Sequence, residues 1–141
     1  MRRVWLASRS RNEESIWPIN GVRRLLAIAA WTGLAFIAFA TLSPIQERPR
    51  LPAPVAVEHF GAFALTGALF MLAYPRRRRE IALVLLVAIV GLEFAQRLTP
   101  DRHGRVIDAI EKLAGAGLGI VAGGLAERMI KSLVRLCREV K

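Results

Sequence analysis

Among the polar side chains that interrupt the most apolar parts of this sequence are six whose types bind ions, form ion pairs or transfer protons. They fall into three pairs, each in a different apolar segment: Glu58 with His59, Glu93 with Gln96, and Asp108 with Lys112. Residues three or four apart share one face of a helix, so the last two pairs can each act together. Charges within apolar segments are costly unless they face protein or water. The pairs therefore indicate either a binding site or a structural clasp.

The same residue types occur in catalytic sites, but their spacing does not indicate one. Ser43 and His59 could join an acidic residue in a hydrolytic triad, yet the chain has no GxSxG turn to present the serine. The two histidines lack HxxxH or HExxH spacing, which argues against a metal site. The sequence predicts no catalytic residue, no metal ligand and no cofactor. Two alternatives stay open: a membrane-embedded hydrolase or transferase acting on lipid or cell-wall precursors, and a proton-coupled transporter.

A structural clasp is the simplest alternative to a binding site. Glu93 could tie its helix to Arg102 or Arg105 in the following loop. Lys112 lies four residues after Asp108, the spacing of an ion pair along one helix.

Four apolar segments must carry these residues: 25–42, 55–74, 81–98 and 106–125. At about 1.5 Å per residue, each is close to the ~30 Å thickness of a hydrocarbon core. Hydrophobic residues make up 54% of the 141 residues, yet the net charge is +10. We therefore predict an all-α, integral membrane four-helix bundle over residues 25–125, between a basic arm (1–24) and a basic tail (126–141).

The distribution of arginine and lysine predicts the orientation of this bundle. Residues 1–24, 76–80 and 127–141 carry surpluses of +4, +3 and +3, whereas the other two connections are balanced. By the positive-inside rule, the three surplus segments and both termini lie in the cytoplasm. The prediction is a multi-pass protein of the bacterial inner membrane, with basic segments that meet anionic lipid headgroups. Basic residues that follow the apolar segments in this way do not indicate nucleic-acid binding.

In this topology the polar groups of three helices lie at about the same depth in the membrane, just below the outer lipid headgroups. The predicted outward-facing pocket comprises Ser43, Glu58, His59, Glu93, Gln96, Arg102, Arg105, Asp108 and Lys112. On the fourth helix, Gly115, Gly119 and Gly123 are spaced four apart and form a stripe that allows close helix packing. That packing could be within the chain or in a homodimer.

Five short motifs resemble those of one family: TLSP at 41–44, EHFGAF at 58–63, EFAQ at 93–96, PDR at 100–102, and Asp108 ahead of Gly115. Together they resemble the VanZ-like membrane proteins, over about residues 41–119. The chain departs from that family at Val57-Glu58, where an acidic-basic pair is usual, and at Lys112, where asparagine is usual. The resemblance implies a small four-span envelope protein. The namesake of the family is linked to low-level teicoplanin resistance. Together with the predicted outward-facing pocket, the resemblance predicts a non-enzymatic protein that binds an amphiphile or lipid-linked ligand and affects glycopeptide susceptibility.

Overall fold

The computed structural model describes residues 17–43, 54–97 and 106–139, which form four α-helices and, within these ranges, no strand. The helices are α1 (Trp17–Leu42), α2 (Val55–Ala73), α3 (Arg78–Arg97) and α4 (Val106–Glu139). The all-α prediction is confirmed. Two helical segments are long and apolar enough to cross a membrane, Asn20–Leu42 and Val55–Ala73. They support membrane association, and the passage of all four helices through a bilayer is a proposal developed below.

Two helices extend beyond the apolar segments that predicted them. Helix α1 begins at Trp17, within the predicted arm, and Pro18 lies in its first turn, where a missing backbone N–H breaks no helical hydrogen bond. Helix α4 continues to Glu139, through most of the predicted tail. Residues 125–139 contain neither glycine nor proline, so nothing in the sequence ends the helix where its apolar part ends. Hydropathy marks the apolar part of a helix and not its ends.

Helices α2 and α4 run parallel and approach each other closely. A Cβ atom added at Gly115 or Gly119 would overlap a backbone carbonyl oxygen of α2, and one at Gly123 would lie 2.7 Å from the Ala68 carbonyl oxygen. The contacts pair Phe60 with Gly115, Ala64 with Gly119 and Ala68 with Gly123, so both helices advance in the same direction. The glycine stripe is therefore used for packing within the chain. A homodimer through the same stripe would require α2 to leave it.

Helix α1 is antiparallel to α2, because Trp31 contacts Phe70 while Gly33, further along α1, lies by Thr66, earlier in α2. Helix α3 is antiparallel to α4: Glu93 pairs with Lys112, and Arg78, at the start of α3, lies beside Gly124, further along α4. The four helices thus alternate in direction, as the sequence-based topology requires. Their core contains Phe63, Phe70, Met71, Leu85 and Ile89.

Candidate functional site

An ion pair between α3 and α4 joins two residues of the predicted pocket. The Lys112 ammonium group donates a hydrogen bond to Glu93 Oε1. The Lys112 side chain is 0% exposed and that of Glu93 is 12% exposed. At about 1.5 Å per residue, Glu93 lies ~6 Å from the end of α3 and Lys112 ~9 Å from the start of α4. The two charges therefore meet at one level inside the bundle, where each depends on the other for compensation.

Among the residues that the structure describes, neither Lys112 nor Glu93 pairs with a partner that the sequence suggested for it. Lys112 was expected to pair with Asp108, but within the described ranges no ion pair joins them. Lys112 instead points across the helix interface, where the buried Glu93 carboxylate offsets its desolvation better than a half-buried carboxylate on its own helix would. Glu93 is tied to α4 through Lys112, a partner that the sequence did not suggest for it. The other suggested partners, Arg102 and Arg105, lie outside the described residues.

A second group, which we call the His59 cluster, brings together His59 from α2 with Asp108 and Glu111 from α4. One nitrogen or oxygen atom from each residue lies within 4.8 Å of the other two. His59 Nδ1 is 3.8 Å from Glu111 Oε2. His59 is 8% exposed, and the Glu111 side chain is 25% exposed. Three ligating side chains therefore converge in a largely buried position.

Parallel packing of α2 and α4 creates this convergence. The close contact between Phe60 and Gly115 fixes the two helices in register, and His59 is thereby held against the α4 turn that precedes Gly115. Asp108 was among the residues predicted for the pocket, whereas Glu111 was not. The signal was present, because Glu111 lies three residues after Asp108 and so shares its helix face.

Gln96 adds a buried acceptor to the same region. It is 8% exposed, and its buried side-chain oxygen has no hydrogen-bond partner among the described residues. Gln96 lies one helical turn beyond Glu93. Since α3 and α4 are antiparallel and Glu93 meets Lys112, Gln96 lies at the level of Asp108, one turn towards the start of α4. A buried acceptor of this kind is energetically costly unless something donates to it.

Two further residues of the predicted pocket, Ser43 and Glu58, lie at the end of α1 and the start of α2. The Ser43 hydroxyl, at the end of α1, donates a hydrogen bond to the Phe39 carbonyl oxygen at 2.7 Å. Glu58 is half-buried in the first turn of α2. The structure therefore brings together His59, Glu93, Gln96, Asp108 and Lys112, adds Glu111, and engages the Ser43 hydroxyl with its own helix.

Charge determines what the cluster can bind. Because Lys112 offsets Glu93, the charges of Asp108 and Glu111 have no ammonium or guanidinium partner among the described residues. A site with this balance attracts cations, or neutral groups that donate hydrogen bonds. Its imidazole could also accept a proton or ligate a metal.

A basic region lies at the opposite end of the bundle. A cavity of about 590 Å³ lies between the α2–α3 turn and the second half of α4. Its lining consists of Pro75, Arg76, Arg77, Arg78, Arg79, Glu80, Glu127, Arg128 and Lys131. Six of these nine residues are basic, so the cavity suits an anion. The two ends of the bundle therefore differ in the sign of the charge that they attract.

No family model, no curated protein and no solved structure matches the chain. The resemblance to VanZ-like proteins stays a prediction from five motifs.

Proposed function

We propose that this chain is a multi-pass protein of the bacterial inner membrane whose four helices cross the bilayer. We further propose that an outer polar cluster binds the headgroup of an amphiphile or lipid-linked ligand of the cell envelope. This cluster consists of the Glu93–Lys112 ion pair, Gln96 and the His59 cluster. The observation that carries both proposals is an inverted distribution of side chains. Large apolar residues cover the outside of the bundle, whereas charged and amide groups are enclosed within it.

The apolar exterior extends over all four helices. Side chains that are more than half exposed include Leu25 and Phe39 on α1, Leu65 on α2, Val87 and Phe94 on α3, and Leu118 and Val121 on α4. Soluble monomers rarely expose contiguous apolar surface beyond a few hundred Å². In a bilayer the same surface would face lipid tails at no cost. The exposed apolar surface extends over α3 and α4 as well, although charged residues interrupt the apolar sequence of both helices.

The enclosed polar groups support the same conclusion. Charged residues in membrane-spanning helices usually face the bundle interior and pair with one another. Glu93 turns from α3 towards Lys112, and both are buried, while Phe94 on the adjacent face of α3 is exposed. A helix with this arrangement can face lipid on one side and keep its charge on the other.

Charge orients the bundle. The cavity lined by six basic residues lies at the end that the positive-inside rule assigns to the cytoplasm. Anionic lipid headgroups are the expected partners of that end. The His59 cluster then lies on the outer side, where envelope precursors and lipid-linked ligands are accessible.

The proposed ligand would have a polar headgroup that enters the outer cluster and an apolar chain that lies along the exposed helix surfaces. Asp108 and Glu111 would receive the cationic or hydrogen-bond-donating part of the headgroup, since Glu93 is already engaged by Lys112. Arg102 and Arg105, which precede α4 in the sequence, have the chemistry to bind a phosphate or carboxylate. The resemblance to VanZ-like proteins adds teicoplanin-type glycopeptide susceptibility as the phenotype to test.

The enzymatic alternative depends on an available nucleophile. Ser43 was its candidate, and the Ser43 hydroxyl donates to the Phe39 carbonyl oxygen. A serine nucleophile gives its proton to a base such as histidine, and in this geometry the proton is directed at the backbone. The geometry therefore favours binding over a reaction that uses Ser43 as the nucleophile.

Two measurements test the proposal. A reporter fused within residues 99–104 should be active only outside the cytoplasm, and cytoplasmic activity would refute the orientation and the outer site together. Asp108→Asn should reduce the amphiphile retained by the purified protein and alter teicoplanin susceptibility, at unchanged membrane abundance. Glu139→Gln, an exposed carboxylate at the opposite end of α4, is the matched control. Equal retention and susceptibility in Asp108→Asn and wild type would contradict a ligand role.

A further inference from the structure

We propose that His59, Asp108 and Glu111 form a binding site for a divalent transition-metal ion of the Zn²⁺ type. The three residues supply one imidazole and two carboxylates, and one ligating atom of each lies within 4.8 Å of the others. Imidazole ligands favour Zn²⁺ and its neighbours in the first transition row, whereas all-oxygen sites favour Mg²⁺ or Ca²⁺. Three protein ligands with a further position open are the pattern of zinc sites that bind water or substrate.

The spacing of His59 and Glu111 is nearer to that expected around a metal ion than to that expected around an ammonium group. Two tetrahedral ligands bound to zinc at ~2.1 Å are ~3.4 Å apart, whereas two acceptors of one ammonium group at ~2.8 Å are ~4.6 Å apart. The separation of His59 Nδ1 from Glu111 Oε2 is 3.8 Å, nearer to the first value.

The local charge balance favours a doubly charged occupant. The neighbouring cation, Lys112, is fully buried and hydrogen-bonded to Glu93, so its charge is already offset. Asp108 and Glu111 together carry two negative charges, and no ion pair among the described residues joins either to lysine or arginine. A divalent ion would neutralise both in a region where uncompensated charge is costly.

Gln96 provides a second and independent indication of a ligand at this level. Its buried side-chain oxygen has no hydrogen-bond donor within residues 17–43, 54–97 and 106–139 and lies, by helix register, level with Asp108. Water on an open coordination position of the ion would be such a donor. Polar groups that contact metal-bound water or the ligating side chains commonly tune metal sites.

With an ion bound, Asp108 and Glu111 would meet the headgroup through the metal rather than directly, and the open position suits a phosphate or carboxylate of the envelope ligand; only this part of the inference rests on the proposed function. Metal binding itself is measurable on the detergent-solubilised protein without any amphiphile. Either proposal can therefore fail while the other holds.

The test uses the untagged full chain, with Cys137→Ser to remove the exposed thiol as a competing ligand. Equilibrium dialysis against Zn²⁺ should show one saturable site per chain, and Co²⁺ should give the intense visible absorption of four-coordinate cobalt. Asp108→Asn and Glu111→Gln should each weaken Zn²⁺ binding by more than about tenfold, the smallest loss usual even for a residue that only supports a ligand. Glu139→Gln, the same substitution at an exposed position of α4, should bind Zn²⁺ as the unsubstituted protein does.

Several results would overturn the metal site. These are the absence of a saturable site, a Co²⁺ spectrum matching the hexaaqua ion, or equal affinities in Glu111→Gln and Glu139→Gln. Displacement of Zn²⁺ by millimolar methylamine at constant pH would show that the cluster is an ammonium site instead. If the ligand variants fail to fold, stoichiometry and the Co²⁺ spectrum of the unsubstituted cluster still decide the question.

Discussion

Removing one partner of the Glu93–Lys112 ion pair should destabilise the protein severely, while removing both should cost much less. Glu93→Leu leaves a lysine whose side chain is 0% exposed without the carboxylate that accepts its hydrogen bond. Breaking a buried pair in this way costs about 3–5 kcal/mol. Folded domains are stable by only ~5–15 kcal/mol, so the single variant should lose much of its stability.

Lys112→Met should be similarly harmful, because the Glu93 side chain is only 12% exposed. The double variant replaces two charges with apolar groups of similar length, a change that is often close to neutral. The double-mutant cycle should therefore give a coupling energy of at least ~2 kcal/mol.

The free energy of unfolding can be measured by circular dichroism in mixed micelles of mild detergent and dodecyl sulfate. Arg77 and Glu80 form the control pair, with side chains 65% and 67% exposed, and their cycle should give no more than ~0.5 kcal/mol. Additivity of Glu93→Leu and Lys112→Met within ~0.5 kcal/mol would refute the argument that each charge depends on the other.

Two further predictions concern the glycine stripe and the basic cavity. Gly119→Ala should destabilise the bundle or displace α2, because the new methyl group would overlap a backbone carbonyl that cannot rotate away, whereas Gly117→Ala should be neutral or slightly stabilising. Thermal unfolding of both variants in detergent checks this, and equal melting temperatures would contradict the close contact. Replacing Arg76 and Arg79 with glutamine should reduce the phosphatidylglycerol retained by the purified protein, as read by native mass spectrometry; unchanged retention would exclude these side chains as headgroup ligands.

Helix phase explains which parts of the polar cluster could be predicted. Glu93 and Gln96 were expected on one face of their helix, and both are buried on the face of α3 that turns towards the bundle. The glycine stripe was expected to admit a neighbouring helix closely, and α2 lies against it. These predictions succeeded because the positions that share a helix face follow from a period of 3.6 residues alone.

The partners of these residues could not be predicted in the same way. Lys112 had a candidate on its own helix, and the structure pairs it with a residue on another. Glu111 became part of a cluster only because α2 and α4 are parallel and in register at Phe60 and Gly115. A one-turn slide of either helix would leave every sequence pattern unchanged and separate His59 from Glu111.

By itself, the sequence determined that the chain is helical, that its helices contain long apolar segments, and that the surplus of basic residues lies between and beyond these segments in alternation. Local hydrogen bonding determines the helices, and the order of the residues determines the other two properties. Only the tertiary structure decided which charges meet and which helix fills the glycine stripe. Those outcomes depend on the register and rotation of whole helices, which are set by the packing of many side chains at once.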